Sequence, residues 1–182
     1  MKKVPWHSNP NAVLSTNLYQ IMDQRKINAK EISDDSLTVN QISSIKNGNS
    51  KEISLIQLLR LCQRLKIHPN DLLNGEFQNV WNNQDPITDK VISLFARSIR
   101  LGNISSINIQ EVSQGYLFSH CDYFELNQIS RIENIHIIGD RKRNKNTRRL
   151  TLNDLIHYAH VFNVTPELVM DELILFIKSN CW

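Results

Sequence analysis

Several residue types that mark common protein classes are scarce in this chain. Of its 182 residues only five are glycine, five are proline and three are cysteine. Low glycine and proline contents, with 41% hydrophobic and 21% charged residues, are typical of a globular helical protein rather than a fibrous or disordered one. Cys62, Cys121 and Cys181 are far apart and form no CxxC pair, so we expect free thiols in a reducing cytosol instead of a disulfide scaffold.

The chain also lacks a strong excess of one charge and long hydrophobic runs. Its formal net charge is only +3, so a nucleic-acid partner has to be argued from local patches. Two lysines near the start are followed by Pro5 and Trp6 and not by an apolar run, which argues against a signal peptide. The apolar stretch 168–177 contains Asp171 and Glu172 and is shorter than the roughly 20 residues that span a bilayer. We therefore expect a cytoplasmic protein with no membrane contact.

No arrangement of residues in the sequence indicates catalysis. It has no Ser/His/Asp grouping, phosphate-binding loop, glycine-rich nucleotide turn or paired carboxylates, so we expect neither an enzyme nor a cofactor. His157 and His160, together with His120 and Cys121, come closest to a metal-binding set. Because His157 and His160 fall on the polar outer face of a predicted helix, we interpret both as exposed and predict no metal site.

The most informative feature that is present is an internal repeat. Residues 39–47 (VNQISSIKN) recur as residues 126–134 (LNQISRIEN), and further matches join 54–59 to 151–156 and 67–73 to 164–170. A polar stretch that includes Phe77 and Trp81 separates the two copies. The sequence therefore predicts an N-terminal arm (1–11), a first domain (12–74), a linker (75–86) and a second, diverged domain (87–182).

Hydrophobic spacing and capping residues predict five short helices in the first domain. Leu14, Leu18, Ile21 and Met22 form one apolar stripe on a helix over 14–25. The other expected elements are a short helix over 29–33 capped by Asn28, a helix from the N-cap Thr38 to Asn47 ended by Gly48, a helix after Ser54 with Cys62 in its core face, and a closing turn opened by Pro69.

The second domain follows the same plan with additions. An apolar helix over 87–101 comes first, and the next helix-to-helix connection is lengthened by residues 114–124. A basic segment, 140–149, is flanked by apolar residues and is interpreted either as a short β-hairpin wing or as a loose loop, with a merely solvated loop as the plainer reading. The apolar tail 168–177 either closes the second core or forms a homodimer seam.

Three stretches resemble the lambda-repressor and Cro type of helix-turn-helix domain, the XRE family. They are 41–48, with its terminal Asn-Gly, then 53–62, then 67–73. The resemblance implies an all-α fold of two small helical bundles and double-stranded DNA as the partner. It also places the helix that begins after Thr38 in the major groove, where each base pair shows its own pattern of donors and acceptors.

The resemblance assigns roles to polar residues around that helix. Asn40 would contact base edges and Val39 a thymine methyl group, with Thr38 and Ser44 also placed to read bases and Ser43 as a further DNA-binding residue. Phosphates would be held by Lys30, Lys46, Asn47 and Lys51. In the second copy the equivalent reading positions are Leu126, Asn127 and Arg131, with Arg131 suited to guanine, and Gln128 is a further DNA-binding candidate. The basic segment adds the phosphate candidates Arg141, Lys142, Arg143, Lys145, Arg148 and Arg149.

Two functions are compatible with this layout. The first is a transcriptional regulator, a repressor from a phage, plasmid or low-GC bacterium, that reads an asymmetric site with two unlike domains. The alternative is an antidefence protein similar to some phage anti-CRISPR inhibitors, in which the first domain autoregulates and the second binds a protein target. Plainer interpretations are a helical bundle whose pattern is coincidental, and a degenerate second domain that serves only dimerisation.

Overall fold

A computed structural model describes residues 5–104, 111–134 and 148–180, and every regular element in these ranges is a helix. The chain divides into two compact units, Met1–Gln84 and Asp85–Trp182. The division falls inside the stretch 75–86 that was predicted as a linker. Most of that stretch clusters with the first unit, where the amide of Trp81 donates to the carbonyl of Lys66 at 2.9 Å and its ring meets His68 edge-on at 5.5 Å.

From Pro5 onward, where the structure describes the first unit, a short 3-10 turn, Trp6–Ser8, is followed by four α-helices. These are α1 (Pro10–Gln24), α2 (Val39–Lys46), α3 (Leu55–Leu65) and α4 (Pro69–Asn74). The Asn9 side chain accepts a hydrogen bond from the amide of Ala12, and proline suits the first helical position because its missing N–H is not needed there. Trp6 is buried, so from Pro5 onward the predicted N-terminal arm belongs to the folded unit.

The helix expected over 29–33 is a single turn. Asn28 Oδ1 accepts from the amides of Lys30 and Glu31 at 3.0 and 3.2 Å, which gives Asn28 the predicted capping role. Propagation stops because Asp34 Oδ1 accepts from the amides of Ser36 and Leu37 at 2.8 and 2.7 Å, and a side chain that binds nearby backbone competes with a helix. The chain then bends over residues 35–37 before Thr38, in an extended conformation, begins α2.

The predicted apolar stripe of α1 lies in the core of the first unit. Leu14, Leu18, Ile21 and Met22 are all buried. Asn17, on the same side of the helix, donates from Nδ2 to the carbonyls of Leu72 and Leu73 at 2.8 and 3.0 Å, which ties α1 to α4. Buried carbonyls need such donors, since an unpaired polar group in the interior costs about 1–3 kcal/mol.

In the described residues of the second unit, 85–104, 111–134 and 148–180, there are five α-helices. They are α5 (Asp89–Arg100), α6 (Gln114–Ser119), α7 (Leu126–Glu133), α8 (Leu152–Val161) and α9 (Pro166–Asn180). The segment 114–124, predicted as a lengthened connection, is therefore mostly a helix. Ser113 caps α6 by accepting from the amide of Tyr116 at 3.0 Å, and Leu117 is buried beneath it. The hairpin predicted around the basic segment involves residues 135–147, which lie outside the described ranges.

The C-terminal helix α9 closes the second core. Val169, Met170, Leu173, Ile174 and Ile177 are buried along it. Of the two roles predicted for this apolar tail, core closure is therefore observed. Leu168 and Leu175 remain 38% and 52% exposed. A homodimer seam at these two leucines stays a prediction.

Candidate nucleic-acid interface

Helix α2 is a short rod with a defined beginning and end. Thr38 Oγ1 accepts from the amide of Gln41 at 3.3 Å, and Gln41 Oε1 accepts from the amide of Thr38 at 2.8 Å, which completes a capping box. At the other end Gly48 has φ +70°, a left-handed conformation that favours glycine. The predicted cap and stop residues of this helix are both confirmed.

The two faces of α2 differ in the way the sequence pattern predicted. Ile42 and Ile45 are buried and hold the helix against the first unit. Thr38 and Asn40 are exposed, and Val39 is 40% exposed although it is apolar. The polar amino end of α2 is therefore presented to solvent, where base edges in a major groove would be within reach of these side chains.

The remaining candidates of the first unit differ in their exposure to solvent. Ser43 and Ser44 are half-buried, and Ser44 Oγ accepts from Ser50 Oγ at 3.3 Å, so Ser44 contributes to the shape of the following loop as well as to the surface. Lys30, Asn47 and Lys51 are exposed. Asn47 and Lys51 follow the carboxyl end of α2 in the chain, and the phosphate contacts predicted for all three residues stay a prediction.

One exposed aromatic residue was missed by sequence reasoning. Tyr19 on α1 is 59% exposed, and its ring centre lies 5.9 Å from the Lys46 ammonium group, close enough for a cation–π contact. Tyr19 and Lys46 line a shallow groove with Lys26 and Asn28. A tyrosine on the polar side of an otherwise amphipathic helix is the only sequence signal that would have identified it.

The connection that leads into α2 is fixed by Asp34. Arg64 Nη2 on α3 donates to Asp34 Oδ2 at 2.6 Å. Burial alone would raise the pKa of this carboxyl group, but hydrogen bonds from Ser36, Arg64 and the Leu37 amide outweigh burial and hold the pKa well below its usual value. An ionised Asp34 thus sets the chain direction just before the Thr38 cap.

In the second unit, α7 is anchored from behind in the same manner as α2. Ile129 and Ile132 are buried. Gln128 is half-buried, and the side chain of Asn127 lies outside the described part of the structure. Arg131 is also half-buried, and its Nε finds no hydrogen-bond partner within the described residues. The predicted guanine contact would require the guanidinium end to reach out from this position.

The carboxyl end of α7 is tied to the two preceding helices. Arg100 Nε and Nη2 donate to Glu133 Oε1 and Oε2 at 2.6 and 2.9 Å, and Gln114 Nε2 donates to Glu133 Oε2 at 3.0 Å. Hydrogen bonding to Glu133 raises the pKa of Arg100 and outweighs burial, which would lower it. Ser130 Oγ donates to Gln114 Oε1 at 2.8 Å, so α6 and α7 form one hydrogen-bonded pair.

The basic segment is only partly within the described ranges. Arg141, Lys142, Arg143 and Lys145, predicted to bind phosphates, lie outside them.

Arg148 and Arg149 carry ion pairs within the second unit. Arg148 Nη1 lies 2.9 Å from each carboxylate oxygen of the fully buried Asp154, and Arg149 Nε lies 2.7 Å from Asp89 Oδ2. Burial alone would lower the pKa of Arg148, but Asp154 raises it. Because Asp154 neutralises its charge inside the unit, we assign Arg148 mainly a structural role.

The two helical histidines differ from the prediction that both are exposed. His160 is exposed, but His157 is half-buried, stacks on Tyr123 at 3.9 Å and has its Nδ1 at 3.6 Å from Cys121 Sγ. Burial, with a smaller effect of His160, lowers the pKa of His157. Over the ranges that the structure describes, no group of three or more His, Cys, Asp or Glu residues is arranged to hold a metal ion.

Comparison with known proteins identifies the first unit. Residues 17–78 match the family model described as the Cro/C1-type HTH DNA-binding domain. No curated protein and no solved structure matches the chain. Within the described part of the chain, none of the helices has the length and apolar character needed to cross a bilayer. The match extends from within α1 to just beyond α4, and residues 17–78 of this protein are thus a Cro/C1-type helix-turn-helix DNA-binding domain.

Proposed function

We propose that this protein is a sequence-specific transcriptional regulator that represses by occupying promoter DNA. The observation that carries the proposal is the exposed amino end of α2, held in place by its capping box and by buried Ile42 and Ile45. A rigidly held helix can enter a major groove without first paying the entropy of ordering its reading side chains. The Cro/C1-type match at residues 17–78 supports DNA as the partner.

The contacts expected in the groove follow from the chemistry of three residues. The Asn40 amide can donate to and accept from adenine in a bidentate manner, and Val39 can pack against a thymine methyl group. Such a contact contributes about 1–3 kcal/mol of discrimination against a wrong base. Lys51, exposed beyond the end of α2, would hold a phosphate and add affinity without adding sequence preference.

We propose further that the second unit is a diverged copy of the same domain that reads a different sequence. Gln57 Oε1 accepts from the amide of Ser54 at the start of α3, and Asp154 Oδ2 accepts from the amide of Thr151 at the start of α8. The residues that follow these two helices also correspond: Lys66 has φ 51° and Asn163 has φ 53°. Proline opens both α4 and α9, at Pro69 and Pro166.

A specific observation also favours the rival function for the second unit, namely binding a protein target as in an antidefence protein. Arg148 and Arg149 are paired with Asp154 and Asp89, and Ser130 is bonded to Gln114. Among the described residues of the second unit, these three side chains are thus engaged in contacts within the unit, whereas Lys30 and Lys51 of the first unit are exposed. A surface of that kind fits a protein better than a phosphate backbone.

The test is a footprint of the full chain on the DNA upstream of its own gene. Asn40→Ala should abolish or relax the specific footprint, whereas Asn82→Ala, the same change at another exposed asparagine, should leave it intact. If both variants footprint like the unaltered chain, α2 does not read the operator. Arg131→Ala then separates the two roles of the second unit, because it alters the footprint only if that unit reads DNA.

A further inference from the structure

Two polar side chains on α1 donate hydrogen bonds to backbone carbonyls at the two ends of the loop that follows α2. Ser15 Oγ donates to the carbonyl of Lys46 at 2.7 Å, and Asn11 Nδ2 donates to the carbonyl of Lys51 at 2.7 Å. Asn11 and Ser15 are four residues apart, so they lie on the same face of α1, one turn from each other. We call these two residues and their two hydrogen bonds the α1 clamp.

The backbone conformation of the loop between the two clamped carbonyls, residues 47–51, is restricted. The loop leaves α2 through Gly48 at φ +70°, and a Cβ atom at Gly48 would lie 3.5 Å from Ser15 Oγ. The amides of Gly48 and Asn49 donate back to the carbonyls of Ile45 and Ser44 at 3.0 and 2.9 Å. The clamp therefore fixes the two ends of a segment that is otherwise held only by local hydrogen bonds.

The second unit has a related contact. Ser93 Oγ on α5 donates to the carbonyl of Ile132, near the end of α7, at 2.6 Å. Ser15 follows the buried Leu14, and Ser93 follows the buried Ile92. A serine of the first long helix in each unit thus holds a carbonyl at the end of the helix that corresponds to α2. This type of hydrogen bond therefore occurs in both units and is not specific to the loop after α2.

We propose that Asn11 and Ser15 are positioning residues for DNA binding. They hold the α2–α3 loop in the conformation in which Lys46, Asn47 and Lys51 meet the DNA backbone. This proposal rests on the proposed function, because it concerns the same surface. Two hydrogen bonds at an exposed or half-buried site add little to folding stability, but they remove loop conformations that would otherwise have to be ordered during binding.

The test compares the Asn11→Ala/Ser15→Ala double variant with Thr16→Ala in the full chain. Thr16 is the matched control because its hydroxyl group bonds only to the carbonyl of Ala12 in its own helix, at 3.0 Å. Alanine preserves the helix. We expect the double variant to bind operator DNA about tenfold more weakly, and Thr16→Ala to bind like the unaltered chain.

Two further measurements separate positioning from mere stabilisation. The slope of log affinity against log salt concentration should fall by about 0.9 for each phosphate contact that the loop no longer makes. Amide hydrogen exchange of residues 47–51 should also become faster in the absence of DNA. A variant that carries Ser15→Thr in place of Ser15→Ala keeps the hydroxyl donor. Its salt slope and its amide exchange rate should therefore return towards those of the unaltered chain.

The outcomes distinguish the positioning proposal from the function on which it rests. If the unaltered chain binds no DNA specifically, the proposed function fails, and the clamp loses its role with it. If the unaltered chain binds but the double variant shows the same affinity and salt slope, the positioning role alone is overturned. A lower melting temperature with an unchanged salt slope would also overturn it, because the clamp would then be only structural.

Discussion

Replacing Glu133 by glutamine should destabilise the second unit far more than an isosteric change on a helix surface does. The substitution removes the counter-charge of Arg100, whose side chain is only 12% exposed. It also replaces one carboxylate oxygen by an amide NH2 group, so at least one of the donors on Arg100 and Gln114 loses its acceptor. Breaking a buried ion pair costs about 3–5 kcal/mol. Because Arg100 keeps its bond to the Val112 carbonyl, we expect about 2–3 kcal/mol.

The assay is urea unfolding of the full chain, followed by circular dichroism. Glu125→Gln is the matched control, because Glu125 is exposed at the other end of α7 and should contribute no more than about 0.5 kcal/mol. Changing Arg100 to Met together with Glu133 to Leu should recover much of the loss, since a buried apolar pair needs no partner charge. Equal midpoints for Glu133→Gln and Glu125→Gln would refute the assignment of Glu133 as the link between α5, α6 and α7.

Four other outcomes are expected. Gly48→Ala should lower the melting temperature by an amount equivalent to about 1 kcal/mol, because alanine resists a positive φ; an unchanged melting temperature would contradict this. The pKa of Asp34 is depressed in the folded state, so its contribution to stability is present above the unfolded pKa and is lost as the pH falls through the folded pKa. Asp34→Asn should therefore flatten the acid limb of a curve of unfolding free energy against pH. Burial raises the pKa of the Cys62 thiol, so a thiol reagent should label half-exposed Cys121 and spare Cys62 until urea is added. Lys46→Gln should weaken binding uniformly across DNA sequences and reduce the salt slope by about 0.9, which Asn40→Ala should not do.

The parts of the fold that could be predicted from sequence are those fixed by local chemistry. Thr38 with Gln41 three residues later specifies a capping box, and Gly48 supplies the left-handed stop, so α2 could be delimited at both ends. The pair Ile42 and Ile45 identified its buried face in the same way. Each of these signals needs only neighbours within one helical turn.

The features that could not be predicted depend on residues distant in sequence. Local hydrogen bonds of Asp34 end the turn over 29–33, but the ion pair between Asp34 and Arg64 on α3 joins residues 30 positions apart and has no local signal. Arg148 and Arg149 belong to a basic run in the sequence, but Asp154 and Asp89 neutralise them, and a count of charges contains no such information.

The helix α6 was missed for a different reason. In the alignment of the two copies, residues 114–124 are an insertion. The first copy has only a turn at this place, so a comparison of the copies gives no indication of a helix. The available sequence signal was Ser113, a favourable N-cap residue, followed four positions later by the apolar Leu117.

A single position in the repeat shows how the two units could diverge in use while keeping one plan. Lys46 ends α2 as a half-buried cation beside Tyr19, and the corresponding Glu133 ends α7 as a buried anion paired with Arg100. In the first unit Arg25, at the end of α1, instead donates to the carbonyls of Leu65 and Phe77. The first unit thus secures the end of α1 through backbone carbonyls and keeps a cation at the end of α2, which we propose binds a phosphate. The second unit uses the same position for its own stability, so a DNA contact there would have to come from other side chains.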